Sequence, residues 1–146
     1  MPITARSLTN LKVEISNGRH EFVADEPESV GGEDAGPNPY DLLLGALAAC
    51  KVMTAQMYAR RKAWPLDEVT VRLDTHKVHA RDCDECDSDP NARVDIIEVD
   101  IALKGDLTAE QRERIKEIAD RCPVHRTLTS ETRIHTTLVD EIPVSA

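Results

Sequence analysis

The stretch from Gly36 to Lys62, GPNPYDLLLGALAACKVMTAQMYARRK, constrains this chain more than any other. From Leu42 to Cys50 every residue is apolar or glycine, so more than two helical turns carry no polar face. A helix that is apolar all round is buried on every side or lies in a membrane. Nine residues are too few to cross a bilayer, and Lys51 closes the run. The stretch predicts a central helix wrapped by the rest of the protein, with Cys50 at its middle. Its ends agree. Asn38 suits the N-cap, Pro39 the first helical position and Asp41 the positive end of the helix. Arg60, Arg61 and Lys62 suit a C-terminus, and Pro65 prevents continuation. By three-and-four spacing, Leu43, Ala46, Leu47, Met53, Thr54 and Met57 share the face of Cys50, with Met53 and Met57 expected in the core.

The flanking sequence reads as strands and shorter helices. LKVEIS (11–16) alternates apolar and polar residues, then Asn17-Gly18 signals a hairpin turn into a second strand over 20–24, with Arg19 at the exit of the turn. Residues 25–37, rich in glycine, proline and acids, read as loop. Val69, Val71 and Leu73 mark a strand running toward His79; 94–103 mark a second, with a possible slip of alternation at Ile96-Ile97. The two are expected to pair as a long hairpin around an acidic loop at 80–92. Thr108 and Gln111 form a capping box. It opens an amphipathic helix whose stripe is Ile115, Ile118, Ala119 and Cys122. Pro123 starts a short further helix, and RIHTTLV (133–139) reads as a last strand. The order ββ-α-ββ-αα-β gives an α+β fold, one domain over 1–146, with antiparallel sheet enclosing the long helix and the second helix.

Composition removes several function classes. A net charge of −9 without a basic stripe argues against a nucleic-acid partner and against docking to anionic membranes. The start, MPITARSLTNL, has no apolar leader segment, so a cytoplasmic location is expected, with its four cysteines reduced. Phe22, Tyr40, Tyr58 and Trp64 are the only aromatic residues. Burial against a second copy, a homodimer, is one remedy for so small a supply of large side chains.

Three thiol sites invite a chemical reading. Cys122 precedes a helix start and neighbours Arg121, His125 and Arg126, which is where a thiolate is favoured; its bland alternative is a core residue closing the stripe. Cys50, mid-helix, receives no donors from its own backbone, so any activation comes from across the fold; its alternative is a small core residue. His76, His79, Cys83 and Cys86 together have the composition of a zinc site. Against it, the two histidines point to opposite faces of a regular strand, and the spacing lacks the long spacer of ordinary zinc modules. As a redox pair Cys83 and Cys86 are disfavoured by Asp82, Asp84, Glu85 and Asp87, which raise thiol pKa values.

Gly-Pro-Asn-Pro before an apolar helix bearing Ala48-Ala49-Cys50, with Ala119-Asp-Arg-Cys122-Pro-Val-His125 far downstream, resembles the OsmC/Ohr family. The resemblance implies an intertwined homodimer with long helices between β-sheets. It also implies thiol-dependent reduction of small hydroperoxides, chiefly organic ones, in oxidative-stress defence. Carried over, Cys50 matches the peroxidatic cysteine and Cys122 the resolving one, with an external dithiol as reductant and no metal or cofactor. The family's activating arginine lies near the first hairpin turn, where Arg19 is nearest. Its activating glutamate follows the Asn-Pro pair. That position is Tyr40 here, and the nearest acid, Asp41, is rotated from it by about 100°. The departure keeps two other readings open: a non-catalytic member binding a small ligand, and a zinc- or redox-responsive protein using Cys83 and Cys86.

Overall fold

Three short strands, β1 (Thr4–Ser7), β2 (Val13–Ser16) and β3 (Glu21–Ala24), form an antiparallel sheet in that order. The structure, a computed structural model, describes residues 2–143. Ser16 pairs with Glu21 across the predicted turn, where Asn17 Oδ1 accepts from the backbone N–H groups of Arg19 and His20 and Gly18 takes φ +81°. A left-handed backbone of that kind is what Asn-Gly supplies at little cost. β1 has no counterpart in the sequence reading, since TARS carries no run of alternating apolar residues. The following loop is organised by one side chain. Buried Asp25 accepts from the backbone N–H groups of Glu26, Glu33 and Ala35, at 2.9, 3.0 and 3.1 Å.

A single helix, α1 (Pro39–Lys62), spans the predicted range with Asp41 in its first turn and Arg60, Arg61 and Lys62 in its last. The hairpin follows as β4 (Leu66–His79) and β5 (Arg93–Gly105), paired from Leu66↔Gly105 to His79↔Arg93. The pairing is continuous through Ile96 and Ile97; the irregularity lies between Leu66 and Glu68 instead. Both isoleucines are half-buried, so the expected slip exists in burial and not in register. α2 (Ala109–Ala119) opens with the capping box of Thr108 and Gln111, both of its hydrogen bonds formed. α3 (Pro123–Thr129) follows after a break at Cys122.

The chain divides into two compact units. One holds the residues up to Gly45 and those from Thr132 onward; the other runs Ala46–Glu131. In the second, Ala55, Tyr58 and Ala59 of α1, Val69 of β4 and Ile115 and Ala119 of α2 make the core.

Two expectations need correction. The buried residues of α1 are Leu47, Lys51, Ala55, Tyr58 and Ala59, a single stripe at helical spacing, while Met53 and Met57 stand 63% and 68% exposed. In the second unit the β4–β5 hairpin and α2 pack on the Ala55–Tyr58–Ala59 side of α1, and the side bearing Met53 and Met57 is left open. Residues 133–139 form no strand, and Ile134 and Leu138 are exposed. Alternating apolar residues specify which faces a strand would have, but a strand forms only against another edge. Among the described residues no strand forms a ladder with this segment.

Candidate functional site

Cys50 and Cys122 lie 72 positions apart by number and meet in the second unit, α1 supplying one and the α2–α3 junction the other. Cys50 sits mid-helix and is half-buried; Cys122 is fully buried, and both are free thiols. Cys122 is in extended conformation (φ −63°, ψ 150°), as a residue before proline prefers, and is the N-cap of α3. Its Sγ accepts from the His125 backbone N–H at 3.4 Å, where a Ser or Asp side chain would serve elsewhere. Cys50 lies close enough to Cys122 to influence its ionisation.

Five influences act on the Cys122 proton. Burial pushes the thiol above its usual range, the His125 N–H pulls it down, contact with Cys50 and negative charge there push it up, and the Lys51 charge pulls it down. Burial dominates, so the net direction is upward. Cys122 therefore holds its proton more firmly than an ordinary thiol.

The cation in this site was not legible as such. Lys51 reads from sequence as the end of an apolar run, yet its side chain is only 2% exposed. Its Nζ donates to Asp120 Oδ1 at 2.7 Å and lies 3.1 Å from His125 Nδ1. An ammonium has only protons to give, so a hydrogen bond between the two has Nδ1 accepting and the ring's N–H at Nε2. The available signal was spacing: Lys51 falls between Leu47 and Ala55 on one helical stripe, and an acid and a histidine flank Cys122.

Two open cavities adjoin this centre. One, of about 360 Å³, is bounded by Leu47, Lys51, Glu85, Ile97, His125 and Leu128 among others. The second, of about 380 Å³, is lined by Thr54, Met57, Tyr58, Arg61, Ile118 and Pro123. It begins one helical turn beyond Cys50 and next to Cys122.

Arg19 and Asp41 belong to the first unit. Arg19 gives its backbone N–H to the hairpin turn, and the Asp41 carboxylate accepts from the Asn38 N–H at 3.0 Å while Asn38 Oδ1 accepts from Asp41 N–H at 2.9 Å. Tyr40 is exposed. Cys83 and Cys86 are not reduced: they form a disulfide, the turn Ala80–Asp82 and the Cys86 N–H to Cys83 carbonyl bond folding the loop so that their Cα atoms are 5.4 Å apart. Bonded sulfurs are not thiolate ligands, and among the described residues no group of three or more His, Cys, Asp or Glu is arranged to hold a metal. His79 keeps a buried Nδ1 without a hydrogen-bond partner, and His76 is exposed on β4.

A family model described as OsmC-like protein matches residues 31–137. Among curated proteins none matches at a significant level. Solved structures give the fold its relatives. An OsmC-like protein from Mycoplasma pneumoniae is 21% identical at a TM-score of 0.67, covering 87% of this chain and 85% of that one. An organic hydroperoxide resistance protein from Elizabethkingia anophelis is 22% identical at a TM-score of 0.63, covering 88% and 89%. The organic hydroperoxide resistance protein OhrB of Bacillus subtilis is 18% identical at a TM-score of 0.59, covering 88% and 89%. At these identities the likeness is one of fold.

Proposed function

The chain belongs to the OsmC-like protein family, and from that membership we propose that it is a thiol-dependent hydroperoxide reductase working through a two-cysteine cycle. The observation that carries this reading is the nearness of Cys50 to the fully buried Cys122, close enough for each to feel the other's charge. The Cys50 thiolate attacks the O–O bond of the hydroperoxide. A sulfur–oxygen bond forms, the O–O bond breaks, and the leaving alkoxide departs as the alcohol after taking up a proton. Cys50 is then a sulfenic acid. The Cys122 sulfur attacks that sulfur, a disulfide forms and the hydroxyl leaves as water. An external dithiol reduces the disulfide and closes the cycle.

The cavity next to Met57, Ile118 and Pro123 favours a hydroperoxide with an apolar body over hydrogen peroxide. No metal or cofactor takes part in these steps. Arg19 and Asp41 are assigned activating roles toward Cys50 by family correspondence, with Tyr40 where the family's glutamate would be. The working form in this proposal is a cytoplasmic homodimer of single-domain chains. The exposure of Met53 and Met57 on one face of α1 supports a second copy against it.

Consumption of cumene or tert-butyl hydroperoxide by purified protein with a dithiol tests the reading. Cys50→Ser abolishes turnover, and brief peroxide treatment links Cys50 to Cys122 by mass spectrometry. Normal turnover by that variant, or both thiols unmodified and unlinked after peroxide, overturns it. The second reading, a non-catalytic binder of a small apolar or thiol-reactive ligand, is favoured by Tyr40 and by the engagement of the Asp41 carboxylate in capping α1. It predicts ligand binding with no peroxide consumed.

A further inference from the structure

Lys51 has no part in the two-cysteine cycle as stated above, yet it is the most deeply enclosed charge in the second unit. Burying an ammonium costs several kcal/mol unless it is paired and hydrogen-bonded. A methionine or leucine would fill the same place on the Leu47–Ala55 stripe without that cost. The fold instead supplies Asp120 at 2.7 Å and His125 Nδ1 at 3.1 Å, and it places the backbone N–H of the same His125 on Cys122 Sγ. One residue of α3 therefore touches the lysine through its ring and the thiol through its backbone.

The two chemical steps make different demands on Cys122. While Cys50 is a thiolate, its negative charge holds the proton on Cys122. Once Cys50 is a neutral sulfenic acid that restraint is gone. Burial still opposes ionisation, and what favours it is the His125 N–H and the Lys51 charge. The attack on the sulfenic sulfur needs the thiolate.

Resting on the peroxidase reading, we propose that Lys51 is a positioning residue for the resolving step, its ammonium held by Asp120 and His125 beside Cys122 so that this thiol ionises after Cys50 has been oxidised. In that step the Cys122 thiolate attacks the Cys50 sulfur, the S–S bond forms, the S–O bond breaks, and the departing hydroxide takes up the proton lost by Cys122 as water. The charged and titratable groups around the lysine are Asp120 after α2, His125 on α3, Cys50 on its own helix, and Glu85 and Asp95 across the cavity from the β4–β5 hairpin.

Cys50→Ser protein with the Cys83–Cys86 disulfide left intact has Cys122 as its one free thiol, so thiolate absorbance at about 240 nm against pH reports that group alone. Adding Lys51→Met moves the ionisation midpoint higher by about one pH unit, a tenfold loss of thiolate. Lys51→Arg, which keeps the charge, restores most of it. In protein with Cys50 present, Lys51→Met slows disulfide formation about tenfold relative to sulfenic acid formation, followed by rapid mixing with cumene hydroperoxide. Lys51→Gln serves the same comparisons should the methionine variant not fold. An unchanged Cys122 midpoint in a folded Lys51→Met or Lys51→Gln variant overturns the proposal. Absence of any peroxide consumption by the unaltered protein overturns the peroxidase reading instead, and the absorbance titration still decides what Lys51 does to Cys122.

Discussion

The Lys51 ammonium and the Asp120 carboxylate, 69 positions apart, are 2.7 Å from each other, with the lysine side chain 2% and the aspartate 50% exposed. The pair is therefore asymmetric: water solvates one partner and not the other. Removing each partner has a different consequence.

Asp120→Asn leaves a buried cation without its counter-charge and lowers stability by about 1.5–3 kcal/mol, the range for a charged hydrogen bond. The larger losses of fully enclosed pairs do not apply, because Asp120 is half in water. Lys51→Met costs less, since the carboxylate it abandons is solvated. The double variant is less destabilised than the sum of the singles, and urea unfolding of all four proteins measures the difference.

Cys122 makes stability fall at alkaline pH. Burial raises its folded-state pKa above the usual thiol value of 9.0, so the fold favours the protonated form. Its contribution is fully present below pH 9.0 and is lost as pH rises through the raised value. Unfolding midpoints taken between about pH 8 and about pH 10.5 decline in the parent protein, and Cys122→Ser flattens that decline.

Asp25 acts in the opposite direction. Burial pushes its carboxyl up, but three backbone N–H bonds and the Lys12 charge outweigh it, and the net direction is down from 3.8. Its contribution is present above the ordinary carboxyl value and lost as pH falls through the lowered one. Asp25→Asn takes charge from three hydrogen bonds at once, so the melting temperature falls by several degrees at neutral pH. The gap between variant and parent narrows in acid; a gap of constant size from neutral pH to acid contradicts this role.

The Cys83–Cys86 bond closes a very short loop, and loop entropy gives it at most about 2 kcal/mol. Cys83→Ser with Cys86→Ser shifts the denaturant midpoint by no more than that. Thiol titration of the unfolded, unreduced parent protein finds two free thiols; four would show that the disulfide is absent in solution.

Local chemistry made much of this fold readable. The Asn17-Gly18 turn, the ends of α1 at Pro39 and Lys62, the Thr108–Gln111 box and the α3 start at Pro123 each depend on a few adjacent residues, and each is where the sequence indicates. The strand expected at 133–139 failed because pairing depends on an edge outside the segment. β1 escaped notice because its pairing with β2 is held by backbone bonds and by Arg6 with Glu14, with no apolar alternation to reveal it.

From sequence alone came the helix that dominates the chain, the two cysteines and the break that makes Cys122 a cap, because helix ends, prolines and apolar spacing act over a few residues. Only tertiary structure decided which stripe of that helix is buried, that Lys51 is part of it, and that Asp120 and His125 meet its charge beside Cys122. Those outcomes depend on how the hairpin and two later helices pack on one side of α1, and the energy of a buried charge is set by distant neighbours that spacing along the chain does not record.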